Sequence, residues 1–304
     1  MKVTVNIAVK DRRAMLAACL DGLAAQTYRD FDVVVVDNGS TDGSADEAIA
    51  PRNFGVEVLV QPGSLGAVRN AGLRASRGGI VAFVDSDCVP SPDWLAHGVA
   101  AFDDASVVVV QGATLPDAAA TRGRWDATQE ITSFSRRYEA CNLFYRRDAL
   151  LTAGGFDETI GFFGEDSMAG WAVHRRGGAE VFAADAVVHH AVTYPGLRWH
   201  LRRCLRYGNW NTLVRRFPEI RELFWHRWFL RPASALTLLA FVGVVASAAT
   251  PFALVLVVPF LWRHRPYTWR RRDALVDAAG SVLFDIAIEV ALLWGSIREH
   301  TLVL

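Results

Sequence analysis

Apolar residues in the first third of the chain come in short runs separated by polar or amphipathic stretches. Residues 3–9, 32–36, 56–60, 80–84 and 107–110 are of strand length and rich in β-branched side chains. Such runs are buried on both faces, which predicts an α/β fold with a mainly parallel sheet covered by helices. Residues 13–25 and 67–75 have the helical period that such covering elements need. The second run closes on Asp37 and the fourth on Asp85. Ligands of open α/β sheets bind beyond the carboxyl ends of the strands, so both acids are expected at the ligand edge.

Periodicity is poor from 114 to 145, as expected of a loop or excursion over one face of the sheet. A helix is predicted over 165–177 and a strand near 179–188. The composition changes beyond 198. Residues 198–228 mix arginine and aromatic side chains in a helical pattern, and 233–262 carry no charge but are interrupted by Thr250-Pro251 and Pro259. A membrane-crossing helix needs about 20 apolar residues. The uncharged stretch therefore suits one tilted span or a kinked re-entrant hairpin, or else a buried helix pair, and it is too short for two spans. Asp273, Asp277, Ser281, Asp285 and Glu289 then recur every four residues, on one helical stripe. Such a helix could lie in the membrane interface, pack against the apolar stretch with its acids facing the arginines, or simply turn the stripe to solvent. Three segments follow: 1–197, 198–231 with basic and aromatic interfacial helices, and 232–304 with the apolar stretch and an amphipathic helix.

Charge refines the picture. Among 304 residues, 32 basic and 32 acidic side chains give a formal net charge of zero, and no nucleic-acid partner is expected. The arginines are uneven, however: they crowd 198–231, where Glu219 and Glu222 are the acids, and Arg263, Arg265 and Arg270 to Arg272 form a second cluster. Basic residues flanking an apolar stretch suit anionic membrane lipids on the cytoplasmic face. The four cysteines are widely spaced without a CxxC pair, which argues against a structural zinc site or a disulfide scaffold and fits a reducing compartment. The N-terminus carries a strand-length apolar run rather than a signal-peptide core, so residues 1–197 are expected to stay cytoplasmic. A dinucleotide-dependent oxidoreductase is disfavoured, because no GxGxxG follows the first strand.

Several stretches carry chemistry. In VVVVDNGSTDGS (33–44) a tight polar turn follows the strand, with Asn38, Ser40, Thr41 and Asp42 able to cap it. In GAVRNAG (66–72), Arg69 and Asn70 open a helix and could hold an anion or pair with an acid. Asp85-Ser86-Asp87 places two repelling carboxylates at a strand end, an arrangement that a hard divalent cation would offset. Glu165-Asp166 opens a predicted helix, where a carboxylate beside a pocket could take a proton from a hydroxyl. His189-His190 closes a strand, and one imidazole could complete a metal sphere.

Taken in order, 3–9, Asp37 to Asp42, Gly66 to Gly72, Asp85-Ser86-Asp87, Asn142 to Arg146, Gly154-Gly155-Phe156-Asp157 and Glu165-Asp166 resemble the family 2 glycosyltransferases, over about 3–190. The resemblance implies the GT-A fold, a nucleotide-sugar donor (UDP-sugar favoured, dTDP- or GDP-sugar possible) and Mg²⁺ or Mn²⁺. It implies that Asp37, with Asn38, contacts the nucleobase, and that Arg69, Asp85 and Ser86 line the donor site near the ribose. Asp87 would coordinate the metal on the diphosphate, with His190 or His189 as a further ligand. Asp166 would be the general base of an inverting displacement, beside an acceptor pocket that includes Glu165 and Asn142. Three departures matter. After Glu165-Asp166 the family often has another acid and later an arginine, where this chain has Met168 and Ala172, which bears on acceptor or helix packing more than on the base. The first strand of the family usually runs into a Pro-Thr-x-Asn-Arg turn, where this chain has Ala8-Val9-Lys10-Asp11-Arg12. The QxxRW motif of processive synthases is absent, so transfer of one or a few sugars is expected. The carboxyl-terminal third resembles membrane-docking tails that hold the site near a lipid-linked or cell-envelope acceptor. A nucleotide-sugar-binding subunit without catalysis is the alternative.

Overall fold

The computed structural model describes residues 1–161, 163–265 and 272–304. Phe162, Arg270 and Arg271, and the Arg272 side chain of the second basic cluster, lie outside the described residues. The chain divides into one unit of Met1–Arg122 with Ala127–Thr193, and a second of Gly123–Asp126 with Tyr194–Leu304.

In the first unit the strands are β1 (Val3–Val9), β2 (Phe31–Asp37), β3 (Val56–Val60), β4 (Ile80–Val84), β5 (Cys88–Pro90), β6 (Val107–Pro116), β7 (Asn142–Arg146) and β8 (Ala179–His190). Among the described residues they form one sheet in the order β3-β2-β1-β4-β7-β6-β8-β5. The left half is parallel: β1 pairs with both β2 and β4, and β2 pairs with β3. The helices α1 (Arg13–Ala24), α2 (Ser44–Ala48), α3 (Leu65–Ala75), α4 (Trp94–Ala100), α5 (Arg147–Thr152) and α6 (Glu165–His174) flank it. Alternation along β2 shows why both faces are apolar. Val33 and Val35 join the core built on β1 and α1, while Val34 and Val36 pack with Val68 of α3.

The right half departs from expectation. The segment read as an excursion over 114–145 begins inside β6, which runs on to Pro116, and ends in β7. That strand inserts antiparallel between β4 and β6, so the sheet is mixed. The five residues of β7 are too few for local periodicity to reveal them.

In the second unit, α7 (Leu197–Cys204) and α8 (Asn209–Arg216) carry the arginine-rich stretch. The uncharged stretch is no single span. It breaks at Thr250-Pro251 into α9 (Pro232–Ala246), a 3₁₀ turn over Pro251–Val257 and α10 (Val258–Arg263). Proline removes a backbone donor and so ends the helix. Among the described residues no helix is long and apolar enough to cross a membrane. The last helix, α11 (Arg272–Glu299), carries the four-residue acidic stripe. Three of its acids meet arginines: Arg124 pairs with Asp273 and Asp277 at 2.9 and 2.6 Å, and Arg231 with buried Asp285 at 2.8 Å, while His264, whose pKa burial lowers, places Nε2 3.1 Å from Asp285.

Candidate active site

The site residues lie at the carboxyl ends of β2 and β4 and on the elements packed there. Asp37 is the last residue of β2 and only 3% exposed. Its Oδ1 accepts from the Ser40 amide at 3.0 Å and from the Ser40 hydroxyl, while Oδ2 takes no part in that turn. Asn38 braces the neighbouring turn instead: its amide donates to Gly63 O at 3.2 Å and its Oδ1 accepts from Gly63 N at 2.9 Å. The Asn38 side chain thus holds the Asp37 turn to the Gly63 turn.

The unusual first loop is tied to the Asp37 loop. Asp11 N donates to Ser40 Oγ at 2.9 Å, Arg12 N to Ser44 Oγ at 3.1 Å, Arg13 N to Asp42 Oδ2 at 2.9 Å, and Thr41 N to Asp11 Oδ1 at 2.8 Å. Asp11 adopts a positive φ of 49° in doing so. The Lys10-Asp11-Arg12 sequence thus builds a rim beside Asp37 in its own way.

The repulsion between Asp85 and Asp87 is met first by two arginines. Arg69 donates to Asp85 at 3.2 Å and Arg12 to Asp87 Oδ2. Ser86, at 2% exposed, has no free surface with which to touch a donor. Beyond Asp87 the chain enters β5, which pairs antiparallel with β8 so that Cys88 lies opposite His190. This register brings His190 to Asp87, with Nε2 3.7 Å from Oδ1. His189 is next along the strand and alternates to the other side, so it is removed from the candidate metal set.

Whether the residues fit a divalent cation can be tested on their hydrogen bonds. His190 Nδ1 lies 2.8 Å from Ala191 O, so in the neutral imidazole Nδ1 carries the proton and Nε2 presents a lone pair. Asp87 Oδ1 is buried and has no hydrogen-bond partner. Two acceptors facing each other at 3.7 Å, one of them otherwise unsatisfied, fit a cation ligated by both. Cys88 lies within reach of both groups. Its bond to Cys141 and its burial push its thiol pKa well up, so it stays protonated and is a poor ligand for a hard ion.

Around the second acidic pair, motifs far apart in sequence interlock. Asn70 of α3 donates to Phe156 O at 2.8 Å and accepts from Phe156 N at 2.9 Å. A Cβ on Gly66 would lie 2.3 Å from Asp157 O, so only glycine lets α3 approach this turn. The clamp sets Arg69 beneath the site, 4% exposed, paired with Glu165 as well as Asp85. Burial pulls the Arg69 pKa down, but Glu165, Asp85 and Asp166 outweigh it and the value is raised. Arg69 is therefore a buried charge held between Glu165 and Asp85. Glu165, 2% exposed, is bound to Arg69 and accepts from Phe163 N.

Asn142 lies deeper still. It is fully buried, accepts from Trp94 Nε1 and donates to Ala113 O and Ala186 O, each at 2.8 Å. Both N–H donors of its amide join strands and its oxygen ties in Trp94 of α4. Asp166, in contrast, keeps some exposure. Its Oδ1 accepts from Ser167 N at 2.7 Å and its Oδ2 from Ala140 N at 3.3 Å. Burial, then the neighbouring Glu165, push its pKa up to about 8 against the opposing pull of Arg69. A carboxyl so poised can exchange a proton near neutral pH. Sequence reasoning passed over Arg12 and Glu139, the further acid that raises Asp166; the basic residue of the altered first loop was the available signal for Arg12.

The profile of Glycosyl transferase family 2 matches residues 4–163. Glycosyltransferase AglE of Haloferax volcanii is 34% identical over 189 residues, 57% of this chain and 59% of that protein. The pre-mycofactocin glycosyltransferase of Mycobacterium tuberculosis is 28% identical over 233 residues, 71% of this chain and 48% of that protein. The aligned region thus spans between about half and three-fifths of these relatives. Mannosyltransferase PcManGT from Pyrobaculum calidifontis, solved with GDP-Man and Mn²⁺, matches with a TM-score of 0.61 at 20% identity, over 98% of this chain and 87% of that chain. S. aureus TarS 1–349 with UDP-GlcNAc matches with a TM-score of 0.55 at 18% identity, over 99% and 93%. At those identities the structural likeness is one of fold. With a mixed GT-A sheet and more than half its length inside the family profile, this chain belongs to glycosyltransferase family 2.

Proposed function

We propose that the chain is an inverting glycosyltransferase that moves a sugar from a nucleoside-diphosphate sugar to an acceptor hydroxyl, with Mg²⁺ or Mn²⁺ held by Asp87 and His190. The observation that carries this reading is the buried, unpartnered Asp87 Oδ1 facing the lone pair of His190 Nε2 at the sheet's ligand edge. A cation bound there would supply positive charge against which a diphosphate can leave. Asp37 and Asp85 lie along the same edge, where they would take the nucleobase and ribose. UDP-sugars are favoured, with dTDP- and GDP-sugars next.

Asp166 acts as the base. The amides of Ser167 and Ala140 hold its carboxylate in place, one on each oxygen, and each oxygen keeps a lone pair for the acceptor proton. Arg69 offsets the charge of Glu165, so that one carboxyl of the pair is kept available for the proton.

The acceptor is lipid-linked or part of a cell-envelope glycan, and the second unit docks on anionic lipid at the cytoplasmic face. Support comes from its exposed apolar side chains, Phe241, Phe252, Trp262 and Trp294 among them, with Phe252 86% exposed. Such a surface together with arginine suits a lipid interface. The test is nucleotide release from UDP-, dTDP- and GDP-sugars with Mn²⁺ or Mg²⁺, with and without membrane lipid extract. Metal-dependent release that rises with lipid is the expected result. Nucleotide binding without turnover of any donor in the presence of lipid would favour a non-catalytic subunit.

A further inference from the structure

Asp87 already has a cation, and that cation is not fixed. Arg12 Nη1 donates to Asp87 Oδ2, on the opposite oxygen from the one facing His190. We infer that Arg12 is a resident counter-cation for Asp87, which the divalent ion displaces and the donor diphosphate then takes up. The inference rests on the cation site proposed above.

The two arginines of the acidic motif differ in freedom. The Arg69 side chain is 5% exposed and held between Glu165 and Asp85. The Arg12 side chain is 44% exposed, and Asp87 is its carboxylate partner. Its backbone, however, is anchored: Arg12 N bonds Ser44 Oγ, and the residues on either side bond Ser40 and Asp42. Arg12 can therefore swing about a fixed root without moving the rim of the site.

Charge supplies the direction of that swing. A guanidinium and a dication on the two oxygens of one carboxylate repel each other strongly in a partly buried setting. A diphosphate beside them offers the guanidinium two parallel acceptors, the geometry it binds best. Donor binding would thus remove the competitor from Asp87, and metal and nucleotide would tighten each other reciprocally.

The experiment is a Mn²⁺ titration of the full chain followed by electron paramagnetic resonance of free Mn²⁺, without sugar and without turnover. Wild-type protein, Arg12→Gln, Arg12→Met and Arg12→Lys are each titrated alone and with saturating UDP or GDP. Without nucleotide, Arg12→Gln and Arg12→Met should bind Mn²⁺ about tenfold more tightly than wild type, a coupling of ordinary size between two ligands. Arg12→Lys, which keeps the charge, should stay near wild type. Nucleotide should tighten Mn²⁺ in the wild type and do so less in the neutral variants. Equal or weaker Mn²⁺ binding by folded neutral variants would overturn the role of Arg12 while leaving the cation site intact. Should both neutral variants fail to fold, the wild-type titration decides: no tightening by either nucleotide overturns the exchange. Absence of Mn²⁺ binding in every protein would remove the cation site itself, and this inference with it.

Discussion

The positions of single acids follow from where strands end, and their duties follow from what surrounds them. Asp37 and Asp85 are legible at the sheet edge from the apolar runs that precede them. Local spacing and composition alone do not distinguish Asp166, partly exposed and raised to a pKa of about 8, from Glu165, buried on Arg69. Asn142 looks equally available until three buried partners are seen to engage it. Polar residues in a core and in a site share one alphabet, and what separates them is whether their hydrogen-bonding atoms are already engaged. For Asp166 the consequences can be separated by experiment. A base must be deprotonated, so kcat/KM should rise with pH through an apparent value near 8. Asp166→Asn should lower kcat by roughly 10²- to 10⁴-fold. The raised pKa also means that the folded chain loses stability as pH climbs from the ordinary carboxylate range through about 8. The same variant should then unfold at higher denaturant than wild type above pH 8. A flat pH profile, or one turning near pH 4, would exclude Asp166 as the base.

At the level of elements, the parallel half of the sheet is legible because each strand is buried on both faces and each covering helix has its own period. The antiparallel β7 is not, since its place between β4 and β6 depends on partners far away in sequence. Likewise the phase of His189 and His190 is set by the Cys88–Pro90 pairing and not by anything local. The clamp between α3 and the Phe156 turn explains why GAVRNAG and GGFD belong together. Asn70→Ala would strand the Phe156 amide, which now bonds Asn70 Oδ1 at 2.9 Å in a buried position. Leaving a buried donor unpaired costs about 1–3 kcal/mol. Urea unfolding should report a loss of that size, and a loss below about 0.5 kcal/mol would mean that the clamp is not structural.

For the molecule as a whole, composition announces the second unit more clearly than its form. The uncharged stretch is visible at once, but its division depends on Thr250-Pro251 and Pro259. The 15 residues of α9 extend about 22 Å at 1.5 Å per residue, short of the roughly 30 Å hydrocarbon core. A helix of that length can lie in or dip into an interface. The acidic stripe of α11 is explained by arginines and His264 within the same unit, which the spacing alone left open. If the exposed apolar side chains seat in lipid, Phe252→Ser should weaken binding to anionic vesicles roughly tenfold, because burying phenylalanine contributes about 1.5–3 kcal/mol. Sedimentation with phosphatidylglycerol vesicles reads this directly. Unchanged binding would place the lipid contact elsewhere.

The most direct test of the account is crystallographic. Crystals soaked with Mn²⁺ and UDP or GDP, measured for anomalous scattering at the manganese edge, should show a peak ligated by Asp87 Oδ1 and His190 Nε2 beside the diphosphate. A peak on other residues, or a bound nucleotide without manganese between these two groups, would contradict it.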